Sequence, residues 1–143
     1  MNFKKDGSVV VDSTIDASLY WIFAFGAYRP NDEKVKNTME QVVAHLSSAG
    51  GIARYENDPY YRQNSNSNPW FICTLWIAQY YIATGDQKNA LRYLEWVADH
   101  ALPSGVLAEQ VNPQNGEPLS VSPLTWSHGS FIQTVQQFIL HFK

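Results

Sequence analysis

Glu109 follows a short apolar run, Val106, Leu107 and Ala108, inside the long connection spanning residues 102–121. A carboxylate at the edge of packed structure can be held in one place, as a general base must be. The plainer reading of a lone glutamate is a solvated surface residue. A second long connection, residues 47–67, gathers Arg54, Tyr55, Glu56, Asp58, Tyr60 and Tyr61 and leads into Asn68-Pro69-Trp70. Aromatic faces stack on the C–H faces of sugar rings, and a guanidinium or carboxylate binds hydroxyls. Ligand sites in general combine apolar walls with a few convergent polar groups. The same residues equally suit a loop that packs on the rim of a helical domain, with Arg54 ion-paired inside it. His128 has base chemistry, but an early helical turn beside Trp126 suits a hydrogen-bonded packing residue better. Asn115-Gly116 is a turn signal with a structural purpose.

These loops must be positioned by helices, and five are predicted. The first covers about residues 16–27 and is apolar nearly all round, so it is expected to be buried. The second starts at Asp32, an N-cap residue, and places Val35, Met39, Val42, Val43 and Leu46 on one face. The third starts at Asn68-Pro69, an N-cap followed by proline, turns Phe71, Leu75, Ala78 and Ile82 inward, and closes at Gly85. The fourth runs from Asp86, with Leu91, Leu94, Val97, Ala98 and Ala101 as its apolar face, and stops at Pro103. The fifth starts at Ser122-Pro123 and carries Phe131, Ile132, Val135, Phe138, Ile139 and Phe142. Short links at residues 29–31 and 84–86 make antiparallel pairs. Both long loops then fall, with the segment before the first helix, at the N-terminal ends of helices one, three and five. Loops of that length are commonly functional. This all-α layout is that of an α/α toroid with a loop-built site over its inner helices. A plain bundle satisfies the same periodicity, and no solenoid-type repeat is visible.

Composition narrows the function classes. A length of 143 residues suits a single unit over 1–143. Hydrophobic residues at 45% and charged residues at 16% argue against disorder. A net charge of −3 gives no electrostatic footprint for nucleic acid. The longest apolar run, residues 19–28, falls short of the roughly 20 residues of a membrane span. The single cysteine, Cys73, excludes an intrachain disulfide and a cysteine-based metal cluster. Asp6-Gly7-Ser8 stands where a leader would be apolar, so a cytoplasmic location is expected. The chain opens abruptly on what reads as mid-domain sequence, as a truncated product or one half of a split enzyme would.

Several blocks, in order, resemble glycoside hydrolase family 15, the glucoamylase, glucodextranase and trehalase-like enzymes. Asn68-Pro69-Trp70-Phe71-Ile72-Cys73-Thr74-Leu75 resembles the family's NPWFLCTL block, and Ala108-Glu109-Gln110 its AEQ block. Gly116-Glu117, Leu119-Ser120 and Leu124-Thr125-Trp126-Ser127 resemble its GE-x-LS…LTWS run. Arg54-Tyr55 with Asp58 and Tyr60-Tyr61 resembles RY-x-x-D-x-YY, and Asp16-Ala17-Ser18-Leu19 the DASL opening of an inner helix. Two departures stand out. One is the polar insertion around residues 62–67, and the other is His128, where fungal-type relatives carry tyrosine.

The resemblance implies part of an (α/α)6 toroid and an inverting exo-hydrolase acting on α-glucosidic bonds. It places Glu109 as general base, Arg54 as the arginine holding substrate hydroxyls, and Trp70 and Tyr60 as substrate-contacting aromatics. Tyr55, Asp58 and Gln110 fall in the same substrate-binding blocks. It implies no metal or organic cofactor, because acid and base assist water directly. Inversion needs two carboxyl groups about 6.5–9.5 Å apart, and the family's acid lies upstream of residue 1. Glu56, Asp58 and Glu117 match no acid motif. The expectation is therefore the C-terminal portion of such a catalytic domain, bearing the base but not the acid and inactive alone. Its partners would be an α-glucoside or oligosaccharide, together with a second copy or the missing N-terminal part. A non-catalytic carbohydrate-binding or interaction remnant is the alternative. Neither nucleic acid nor membrane is expected as a partner.

Overall fold

The computed structural model describes residues 2–63 and 65–143; Asn64, within the polar insertion, lies outside the described residues. A hairpin of β1 (Asn2–Phe3) and β2 (Val9–Val10) precedes a 3-10 turn, Ala17–Tyr20, that continues into α1 (Trp21–Ala24). The main helices are α2 (Glu33–Leu46), α3 (Phe71–Thr84), α4 (Gln87–Asp99) and α5 (Thr125–His141). Two further antiparallel hairpins sit in the long connections: β3 (Ser47–Ser48) with β4 (Gly51–Ile52), and β5 (Gln110–Val111) with β6 (Pro118–Leu119). None of the helices among the described residues is long and apolar enough to cross a membrane.

α3 is the central element, buried on almost every side and packed against α4, α5 and the 3-10 turn. Gly85 ends it at φ 80°, a left-handed conformation that glycine adopts without Cβ strain. The chain turns there into α4, whose N-cap Asp86 accepts from the Asn89 N–H at 3.0 Å. Asp32 caps α2 in the same way, accepting from Lys34 N–H at 2.9 Å. α2 buries Val35, Met39, Val42 and Leu46 as its spacing predicts.

Four local expectations are corrected. The first helix is short: Asp16 caps it through Ser18 N–H at 2.7 Å, and it gives way before Gly26 at φ 76°. It buries Ala17, Tyr20 and Phe23 but leaves Trp21 and Phe25 stacked outside, 4.5 Å between ring centroids. An apolar run has no periodicity of its own, so it does not say which side faces inward. α4 is rotated from its predicted face: Ala90, Tyr93, Leu94, Trp96 and Val97 point inward, and Leu91 is exposed. α3 is N-capped at Trp70 rather than Asn68, and α5 at Leu124 rather than Ser122. In both cases the proline lies before the helix, in extended segments that pair with other loops.

A chain of polar side chains ties the three helices that begin at the loop end. Tyr20 donates its hydroxyl to Gln79, whose Nε2 donates to Thr134 Oγ1 at 2.7 Å, and Thr134 donates on to Ser130 O at 2.7 Å. Burial pushes the Tyr20 hydroxyl up to about 12, so it stays a donor. Every link is satisfied, which makes the network a strong determinant of register between α1, α3 and α5. Beside it lies an open groove of about 630 Å³, lined by Trp21, Phe23, Ile72, Trp76, Gln133 and Leu140 among others. Ile132 and Ile139, predicted to be core, also face solvent on α5.

The β3–β4 hairpin is seated on α4. Trp96 Nε1 donates to Ala49 O at 2.8 Å, and a Cβ on Gly51 would lie 2.7 Å from Trp96 and 2.9 Å from Pro69. Gly51→Ala is therefore expected to destabilise the chain by about 1–3 kcal/mol, the cost of overpacking. Thermal unfolding followed by circular dichroism should show a lower midpoint, by roughly 2–4 °C per kcal/mol for a chain of this size.

Candidate active site

The site is built on backbone hydrogen bonds between segments far apart in sequence. Trp70 N–H donates to Ile52 O at 2.8 Å, and Ala53 pairs with Pro69. On its other edge the same segment pairs Trp70 with Gln110; Val111 N–H donates to Pro69 O at 3.0 Å and Phe71 N–H to Glu109 O at 3.2 Å. Asp16 pairs with Tyr55, flanked by Ala17 N–H to Arg54 O at 2.8 Å and Glu56 N–H to Ile15 O at 3.0 Å. Thr74 in the first turn of α3 braces the centre: its Oγ1 accepts from Ile52 N–H at 2.9 Å and donates to Trp70 O at 2.8 Å. Arg54, Trp70 and Glu109 are thereby placed on adjoining strands over the N-termini of the inner helices.

Arg54 occupies a shaped socket. Its Nε and Nη2 each donate to Asp58 at 2.9 Å, a bidentate ion pair. Its guanidinium carbon lies 4.4 Å from the Trp70 ring centroid, 4.8 Å from Tyr55 and 5.5 Å from Tyr60. Burial disfavours the Arg54 cation, but the hydrogen bonds and charge of Asp58 outweigh it and hold the arginine's pKa above its ordinary value. The Arg54 side chain keeps 35% exposure while Asp58 keeps 3%, so the arginine reaches the surface and the aspartate does not. Asp58 also accepts from Tyr60 N–H at 3.0 Å. Its oxygens are engaged by Arg54 and the turn, so it stands behind the arginine. Tyr60 and Tyr61 are exposed, their rings 4.8 Å apart, while Trp70, 6.0 Å from the Tyr60 ring, is itself buried.

Glu109 is half-buried. One carboxylate oxygen, Oε2, accepts from the Ser120 hydroxyl and, at 3.5 Å, weakly from the Gln110 amide. The β5–β6 register pairs Gln110 with Leu119, which brings Ser120 opposite Glu109. Ser120 sits at φ 65°, a left-handed conformation rare for a non-glycine residue and typical of positions held for function. Gln110 itself is fully buried, and its Oε1 accepts from Asn68 Nδ2 at 2.9 Å. It braces the strand from within the core. His128 is a packing residue, accepting Leu107 N–H on Nε2 at 3.0 Å.

Two other loop carboxylates, Glu56 and Glu117, are engaged elsewhere. Glu56 accepts from Ile15 N–H at 3.0 Å and pairs with His45 at 2.8 Å; Glu117 is exposed on the β5–β6 turn, bonded to Asn115 at 2.9 Å. Ser120 was not singled out from the sequence as a site residue. The signal that points to it is Asn115-Gly116, a turn whose flanking strands carry residues 109 and 120 past each other.

The chain is similar to known proteins. A family model described as glycosyl hydrolases family 15 matches residues 3–136. An uncharacterized glycosyl hydrolase of Methanocaldococcus jannaschii is 32% identical over 137 residues, covering 85% of this chain and 22% of that protein. The isomaltose glucohydrolase of Kribbella flavida is 31% identical over 137 residues, covering 88% of this chain and 34% of its own length. The crystal structure of a bacterial glucoamylase complexed with acarbose superposes with a TM-score of 0.82 at 25% identity, over 90% of this chain and 21% of that one. The chain thus spans about a fifth to a third of the length of these relatives.

Away from Arg54 and Glu109, Glu56 tethers two segments of the loop end and makes stability depend on pH. The Ile15 N–H and His45 hold Glu56 below the ordinary carboxylate value of 4.5. A depressed folded-state value stabilises the fold above the unfolded pKa, and that contribution is lost as pH falls through the folded one. Glu56→Gln should therefore melt below the parent near neutral pH and converge with it as pH falls below the lowered Glu56 value. Thermal melts of both proteins across that range measure the difference.

Proposed function

The chain belongs to glycosyl hydrolase family 15, and from that premise we propose that it forms the base-bearing part of an inverting, exo-acting α-glucosidase. The observation that carries this reading is Glu109, a half-buried carboxylate fixed by the Ser120 hydroxyl and by backbone bonds on both its N–H and its C=O. It stands one strand away from Trp70, which is buried beneath the Arg54 guanidinium, and from the exposed edge of Arg54. Acarbose is bound by a structural neighbour, and a glucohydrolase and a glucoamylase stand among the relatives. We take the substrate class to be terminal α-linked glucose, as in maltooligosaccharide, dextran or trehalose.

In this mechanism Glu109 accepts a proton from water as the water oxygen bonds to the anomeric carbon. The bond from that carbon to the leaving oxygen breaks, and the leaving oxygen takes a proton from an acid on the opposite face of the sugar. Arg54 donates to sugar hydroxyls while Asp58 keeps it aligned and the buried Trp70 ring backs its guanidinium, and the exposed Tyr60 offers a ring face. Glu56, Asp58 and Glu117 are all engaged as described, which supports an acid contributed from outside residues 1–143. The open groove between α1, α3 and α5 supports docking of the remaining toroid helices against this chain.

Two substitutions separate the roles in the enzyme assembled with the rest of the toroid. Glu109→Gln keeps shape but cannot accept the proton, so kcat should fall by roughly 10²–10⁴-fold with KM little changed. Arg54→Ala should act mainly by raising KM, with a smaller loss in kcat from poorer orientation of the sugar. Steady-state kinetics on maltose or isomaltose read both. A Glu109→Gln enzyme that kept more than about a tenth of kcat would overturn the assignment. Azide, which attacks without deprotonation, should partly restore Glu109→Ala and yield a β-glucosyl azide.

A further inference from the structure

Residues 107–109, which carry the base, are clasped by the segment that opens α5. Leu124 N–H donates to Leu107 O at 3.0 Å, and the His128 Nε2 accepts Leu107 N–H at 3.0 Å. Positions 124 and 128 are about one helical turn apart, so they grip both backbone groups of one residue from two successive levels of the helix. Ser127 Oγ then donates to Ala108 O at 2.8 Å, and Glu109 N–H donates to Val121 O at 2.9 Å. Leu107 and Ala108 are buried and Ser127 has no exposure at all, so the Ser127–Ala108 bond is shielded from water. Within the clasp, the bonds at Leu124 and Val121 are backbone to backbone and available to any sequence. Those from Ser127 and His128 depend on side-chain identity.

We propose that His128 is a positioning residue for Glu109. By accepting the Leu107 N–H it holds the base-bearing strand on the first turn of α5 and so sets where the carboxylate meets the attacking water. To accept there, the ring must be neutral with its proton on Nδ1. The proposal rests on the reading of Glu109 as base. Misplacement of a catalytic group by about 1 Å costs on the order of 10²-fold in rate, so a modest slip of this strand is enough to register in kcat.

The test compares His128→Leu, which removes the acceptor, with His128→Gln, whose amide oxygen can accept in its place. Two readouts are needed: kcat and KM for maltose in the assembled enzyme, and hydrogen exchange of the Leu107 amide in this chain. His128→Leu should lower kcat by about tenfold or more while KM stays within about twofold, and Leu107 should exchange at least about tenfold faster. His128→Gln should restore most of both. Unchanged kcat in His128→Leu, in an enzyme that Glu109→Gln inactivates, overturns the proposal; so does a change confined to KM. Unchanged Leu107 protection overturns it as well. If Glu109→Gln leaves turnover intact, the reading of the base fails, while Leu107 exchange still decides whether His128 holds the strand. Should His128→Leu not fold, Ser127→Ala cuts the same clasp at Ala108, and normal kcat in that variant counts against the proposal.

Discussion

The site depends on one short extended segment, Pro69-Trp70, hydrogen-bonded along both edges. One edge is taken by residues 52–53, the other by residues 109–111. Neither long loop has regular structure of its own beyond a two-residue hairpin, and loops without such anchors sample many conformations. Here each loop inherits its position from the residues that lead into α3, the most buried helix of the chain. Rigidity passes outward from the core through Thr74, which sits in the first turn of α3 and binds the backbone of both Ile52 and Trp70.

The same logic explains why the polar residues divide into presenters and holders. Arg54 and Glu109 are only partly exposed, and each is oriented by a partner with less freedom. Asp58 and Gln110 are the buried partners. Asp58 aligns the guanidinium against three aromatic rings, and Gln110 meets Asn68, which also donates to Tyr61 O at 2.9 Å. One amide thus ties the strand of the base to the aromatic turn. A site that must hold groups within fractions of an ångström needs such a supporting layer. Burial of Asp58 and Gln110 is tolerated because their side chains are hydrogen-bonded.

On the far side of α3 the pattern reverses. Tyr20, Gln79 and Thr134 form a satisfied polar chain in contact with a groove whose apolar lining is open. The chain fixes how the three inner helices stand relative to one another, while Trp21, Phe25, Ile132 and Ile139 remain uncovered. The open apolar part of the groove suits an interaction face. It lies on the helices that also carry the site, so whatever covers it bears directly on how the loops above are held.

Much of this was legible in the sequence by itself. Asp32 and Asp86 read as helix starts and Gly85 as a stop because capping and left-handed turns are local events, decided within about four residues. Glu109, Arg54 and Trp70 emerged as one site because loop alternation and ordered motifs place them at one end of the fold. Tertiary structure alone decided what their neighbours do. Asn68 and Ser122 look like caps, yet Asn68 binds Gln110, a residue 42 positions away, and the segments around both prolines pair with other loops instead. Leu91 fits the helical period of α4 but lies outside, since periodicity measures a face and not the element that covers it. Asp58 and Gln110 carry the residue types of a binding surface, but they are buried as supports, because a polar side chain's exposure is set by the chain that folds over it.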